Sequence, residues 1–184
     1  MTIPVLDGIT ARAVTTDRLA TRVLFSGPED GAPVLFVHGN FSNATWWEET
    51  MLALPPWYRG IAPDLRGYGG ADPAARIDAT RGMRDFVDDL LALMDHLGYD
   101  DFHIVGISLG GLIVWWMMAD APHRLSSVTL AGPGTVIHIE PGDFRESVTV
   151  PTDGTEAAPP RPTTPPMVVQ RNWMASLRYF LYNW

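Results

Sequence analysis

Short, nearly continuous apolar runs alternate along the chain with longer stretches whose apolar positions recur every three or four residues. Thr21 to Phe25, Val34 to Val37, Gly60 to Asp64, His103 to Ile107 and Ser127 to Gly132 are apolar or β-branched with little alternation, which suits strands covered on both faces of a parallel sheet. Three helical patterns lie between them. The first runs from Thr45, with Glu48 three residues on as a capping box, to Leu54, where Pro55 and Pro56 stop it. The second sets Met83, Phe86, Val87, Leu90, Leu91, Met94 and Leu97 on one side and Asp85, Asp88, Asp89 and Asp95 on the other, with Gly98 as its stop. The third starts at Ser108 and is apolar all round through "LIVWWMMA", which predicts a buried helix. Strand and helix in alternation predict an α/β fold with a mostly parallel sheet.

The character changes after Gly132. Residues 1–134 read as the core, and residues 135–184 as a separate region. Within the latter, "PTDGTEAAPPRPTTPP" (Pro151 to Pro166) is too rich in proline for regular structure and predicts an exposed loop. Beyond it Val169, Trp173, Leu177, Phe180, Leu181 and Trp184 share one helical face.

Composition removes several chemistries. The chain has no cysteine and its cations are all arginine, so a thiol nucleophile, a Cys-based metal site, a Schiff-base lysine and a phosphate-loop lysine are all ruled out. A net charge of −8 with scattered arginines gives no nucleic-acid footprint. The longest apolar run, Leu112 to Ala119, is far shorter than the roughly 18 residues of a membrane span, and the N-terminus has no basic segment leading into an apolar one. The expectation is a soluble, cytoplasmic protein of one domain, with no nucleic-acid or membrane partner.

The candidate chemistry centres on "VGISLGG". Gly106-x-Ser108-x-Gly110, set between an apolar strand and a buried helix, places Ser108 on a sharp bend with its hydroxyl exposed. Acyl transfer to such a serine needs donors aimed at the oxyanion of a tetrahedral intermediate. One is the backbone N–H of Leu109; the other comes from the loop "VHGNF" after the first long apolar strand, assigned to Asn40 with Phe41 as its neighbouring alternative.

Together, "VLFVHGN", "APDLRGYGGAD" (Ala62 to Asp72) and "HIVGISLGG" resemble the N-terminal half of an α/β-hydrolase fold serine hydrolase, over about residues 20 to 134. The resemblance implies an eight-stranded, mostly parallel sheet, a helical cap inserted after the sixth strand, and a triad in the chain order nucleophile, acid, histidine. It places Asp64 and Arg66 in the loop after the fourth strand, where they read as loop organisers. Residues 135–184 would then be the start of the cap.

The chain departs from the family pattern in one respect. The triad acid and histidine, and the last two strands, have no counterpart here, and His38, His96, His103, His123 and His138 do not match the family's base position. Glu140 and Asp143 lie too far past the sixth strand to be assigned as the acid. The strand at Ser127 to Gly132, internal in a complete sheet, would be left as an edge. The expectation is a fragment, a cleavage product in the cap, or one subunit of a split hydrolase, completed by a separate C-terminal segment.

The function expected of the completed protein is hydrolysis of a small-molecule ester, thioester or lactone through an acyl-serine intermediate, with no metal and no organic cofactor. Phe41 and Trp46 are the candidate substrate contacts; the other aromatics, Trp47, Trp173, Tyr179 and Phe180, could line an apolar pocket, although helical spacing of tryptophans suits core packing as well. Serine in place of aspartate at the bend disfavours haloalkane dehalogenase and epoxide hydrolase chemistry, despite the dehalogenase-like Asn40. The alternative is a non-catalytic ligand-binding or interaction protein of the same fold.

Overall fold

The computed structural model describes residues 4–133; the expectations for the cap region, for His138, Glu140 and Asp143, and for the Pro-rich loop lie outside the described residues. Within them, six strands form one sheet in the order β1-β2-β4-β3-β5-β6. These are β1 (Thr10–Thr15), β2 (Ala20–Ser26), β3 (Ala32–Val37), β4 (Tyr58–Pro63), β5 (Phe102–Ser108) and β6 (Leu125–Pro133). β3 is parallel to β4 and β5, and β5 to β6, whereas β2 runs antiparallel to both β1 and β4. The sheet is therefore mostly parallel, as its unbroken apolar runs require.

Those runs are buried on both faces in β2, β3 and β4, whereas the side chains of the run in β6 are half-buried or exposed. Val23, Phe25, Leu35, Val37 and Ile61 join a core completed by α2 (Arg84–His96) and α3 (Leu109–Asp120). Their strand neighbours Leu24, Val34, Phe36 and Ala62 point the other way, onto Trp47 and Met51. Those two residues come from a 3-10 turn (Ala44–Trp47) and the short α1 (Glu48–Leu52). No helix among the described residues is long and apolar enough to cross a membrane.

Two local expectations are corrected, for the first and third helical patterns. The first helical stretch is not one helix opened by a Thr45–Glu48 box: Asn43 Oδ1 caps it, accepting from Thr45 N at 3.0 Å, and Thr45 Oγ1 bonds the same oxygen. An asparagine side chain reaching two residues on offers the same satisfaction from two residues earlier. On the acidic side of α2, Asp85 and Asp89 are buried against Arg18, Arg66 and Arg81. Helix α3 is not buried all round: Ile113, Val114 and Met117 are covered, while Trp115 is 58% exposed. Strand β1 went unread, since Val14 is its one buried side chain and it carries no apolar signal.

Candidate active site

The site forms where the chain reverses its direction of travel across the sheet. From β3 the chain moves to β4 on one side and then to β5 on the other, and such a switch leaves a crevice at the carboxyl ends of the two strands. Val37 pairs with Gly106 in the parallel register, so the residues after β3 lie beside the end of β5. A Cβ on Gly39 would come within 3.3 Å of Ser108 Cβ. The loop from His38 to Phe41 thus borders the serine.

Ser108 ends β5 and precedes α3 with φ 52° and ψ −116°, a conformation that L-residues avoid, and its side chain is exposed. Two glycines make room for this bend. A Cβ at Gly106 would meet Val114 Cγ2 at 2.7 Å, and one at Gly110 would run into the carbonyls of Val37 and His38. The start of α3 consequently packs directly on the end of β3. As the first residue of that helix, Leu109 has an N–H with no partner inside the helix, and it lies on the side where the serine is presented.

The loop opposite is fixed by three polar side chains. His38 is fully buried; its Nε2 accepts the Leu65 N–H at 3.0 Å, so its Nδ1 carries the hydrogen and donates to Gly39 O at 2.8 Å. Burial holds this imidazole below its ordinary value of 6.5, prevailing over the Gly39 carbonyl and the charge of Asp64, which pull it upward. Asp64, also fully buried, accepts Ala44 N on Oδ1 and Gly70 N on Oδ2, both at 2.7 Å. It ties the loop after β3 to the loop after β4, the organising role read from its motif. Arg66 has the same kind of role, gripping both carboxylate oxygens of Asp89 at 2.7 and 2.6 Å and the carbonyls of Arg76 and Arg18.

Asn40 is held by its side chain. Its Oδ1 accepts the Phe41 N–H at 3.0 Å and the Tyr68 hydroxyl at 2.6 Å. The Phe41 N–H is occupied in this way. Phe41 itself has φ 53° and a ring 73% exposed. Trp46 is half-buried against the core cluster that contains Trp47, and Trp47 stacks at 5.1 Å on Phe36, so core packing accounts for the latter. Tyr68 was not singled out in the sequence: it lies 28 residues from Asn40, and no local period links them.

The described histidines other than His38 stand away from the serine. His103, five residues before Ser108 on β5, lies about 16 Å down the strand and bonds Ser127 Oγ at 2.7 Å. His123 follows α3, about 18 Å of helix from Ser108, and His96 ends α2.

A mostly parallel sheet, an exposed serine at positive φ between strand and helix, and a backbone loop beside it define an α/β protein with a sharp serine-bearing bend at the end of a central strand. The chain belongs to the alpha/beta hydrolase fold family, whose model matches residues 32–172. It is 32% identical over 113 residues to an uncharacterized carboxylesterase of Bacillus subtilis, covering 61% of this chain and 37% of that protein. It is 28% identical over 120 residues to 3-oxoadipate enol-lactonase 1 of Acinetobacter baylyi, covering 65% and 44%. Among solved structures, a Vigna radiata epoxide hydrolase mutant superposes with a TM-score of 0.61 at 32% identity, covering 68% of this chain and 39% of that one. The chain thus spans less than half the length of these relatives.

Proposed function

We propose that Ser108 is the nucleophile of a serine hydrolase acting on an ester, thioester or lactone. The observation that supports this best is the backbone of Ser108 itself. A non-glycine residue held at positive φ, exposed, with glycines cleared on both sides, stores strain that packing alone does not require. In the proposed reaction Ser108 Oγ attacks the carbonyl carbon while its proton passes to a histidine. The oxyanion is met by the N–H groups of Asn40 and Leu109, the protonated leaving group departs, and water hydrolyses the acyl-serine. Phe41 and Trp46 border the acyl or alcohol portion of the substrate. The acid and histidine come from polypeptide outside the described residues, because the described histidines are buried, as His38 is, or lie toward the far ends of the strands and helices.

The choice of bond follows from the nucleophile. Epoxide opening by a serine alkoxide would leave an ether, which water does not cleave, whereas attack on an ester or lactone leaves an ester that it does. The carboxylesterase and lactonase relatives are therefore the closer chemical match. Mixing the completed protein with a p-nitrophenyl ester tests the proposal. A burst of nitrophenol equal to the protein concentration, with the acyl mass on the peptide bearing Ser108, is expected. A correctly folded protein that binds the ester with no burst and no acyl adduct would instead be the non-catalytic binder.

A further inference from the structure

Beside Tyr68, the segment after β4 surrounds an open groove of about 340 Å³, within the range of small-ligand sites. Tyr68, Pro73, Arg76 and Ile77 line it, together with two glycines, and none of its lining residues is acidic. Tyr68 links the groove to the loop beside the candidate site: its hydroxyl is bonded to Asn40, the residue after Gly39, and a Cβ on Gly39 would lie 3.3 Å from Ser108 Cβ.

Arg76 is unusual among the described arginines. Each of the other described arginines has a carboxylate, a carbonyl or an aromatic ring: Arg12 with Glu29, Arg22 facing Asp64, Arg59 with Gly27 O and Phe25, Arg84 with Asp120, Arg124 with Asp95, and the Arg18, Arg66 and Arg81 cluster with the acids of α2. The Arg76 guanidinium has no such partner among the described residues, in a chain of net charge −8. Its two acidic chain neighbours are engaged elsewhere, Asp72 with Ala74 N and Asp78 with Thr80. The backbone of Arg76 is nonetheless fixed, since its carbonyl accepts from buried Arg66 at 3.0 Å. An exposed guanidinium on a fixed backbone, with no partner among the described residues and at a groove without acidic lining, suits a carboxylate, which matches its planar fork of donors.

We infer that this groove receives a carboxylate of the substrate, so that the ester or lactone cleaved at Ser108 carries an acid group several atoms from its carbonyl. This deepens the acyl-serine reading and rests on it. Ile77 and Pro73 would cover the intervening methylenes, and Arg76 would end the site with charge-assisted hydrogen bonds.

The test compares monomethyl glutarate with its neutral counterpart dimethyl glutarate, binding to the full chain, with the Arg76 Nε–H resonance as the reporter. The half-ester is expected to bind and shift that resonance, and Arg76→Gln to weaken it by at least about 10-fold, as loss of a charge-assisted hydrogen bond implies, while the diester binds both proteins alike. Equal binding of half-ester and diester to the wild-type chain overturns the inference. So does inorganic phosphate that binds as tightly as the half-ester and displaces it, which would make this a general anion site. The two readings fail separately. Half-ester selectivity through Arg76 in a completed protein whose Ser108 is never acylated refutes the acyl-serine reading and leaves the anion site. Acylation of Ser108 without that selectivity refutes the anion site alone.

Discussion

The Tyr68 hydroxyl donates to Asn40 Oδ1 at 2.6 Å, and the same oxygen accepts the Phe41 N–H at 3.0 Å. A side chain from the loop after β4 thereby holds the loop after β3 at the point where it borders Ser108. The hydroxyl keeps its proton through the neutral range, because partial burial raises its pKa further above the ordinary 10.0. Tyr68→Phe is expected to cost about 1 kcal/mol of stability, a typical net hydrogen bond. In the completed protein it should lower kcat roughly 10-fold with little change in KM, since a loosened Asn40 N–H is missed chiefly in the transition state. Denaturant melts and steady-state kinetics on an ester check both.

The strain at Ser108 gives a second prediction. Glycine adopts φ 52° without penalty, so Ser108→Gly is expected to raise stability by about 1 to 2 kcal/mol while abolishing acylation. Ser108→Ala loses the hydroxyl but keeps the Cβ, and should show no comparable gain. Chemical denaturation of the three proteins compares them directly.

Close packing at the bend gives a third. A methyl at Gly110 would overlap the carbonyls of Val37 and His38, backbone atoms that cannot rotate away. Gly110→Ala is expected to destabilise the fold by about 3 kcal/mol or more, through overpacking. Gly98→Ala, where no atom lies within 4 Å of the added carbon, should cost only the strain of its φ of 82°, about 1 kcal/mol.

The buried neutral imidazole of His38 sets a pH dependence. Its folded pKa lies below the ordinary 6.5, so between the two values the unfolded chain binds more protons and stability rises with pH. Its contribution is complete above the unfolded value and is lost as pH falls, at no more than about 1.4 kcal/mol per pH unit. Asp85 acts in a lower window: the Asp78 N–H, at 2.7 Å, holds its carboxyl below the ordinary 3.8, so its contribution is lost only as pH falls further. Melting temperatures between about pH 7.5 and about pH 5.5 should fall for the wild-type protein and change less for His38→Gln, which keeps an acceptor for Leu65 without titrating.

How much of this was legible in the sequence depends on the range of the interaction. Strands β2 to β6 were readable because each carries a short run of apolar or β-branched residues, and the bend was readable because Gly106, Ser108 and Gly110 are close neighbours. Strand β1 was not, because a hairpin edge with one buried side chain looks like a loop. The burial of Asp89 on α2 was not legible either, because the arginines that cover it, Arg18 and Arg66, come from outside the helix. The Tyr68–Asn40 bond, and the lack of a partner for the Arg76 guanidinium among the described residues, are properties of loops brought together by the sheet order, and no local period encodes them.

The central claim is that the Ser108 hydroxyl is a nucleophile presented to reactants. Its most direct test is exposure of the protein, with any chain that co-purifies, to a fluorophosphonate, followed by intact-mass analysis and peptide mapping. One phosphonate per protein, on Ser108 and absent from Ser108→Ala, is the predicted result. A folded protein that remains unlabelled, or one labelled at another serine, would contradict it.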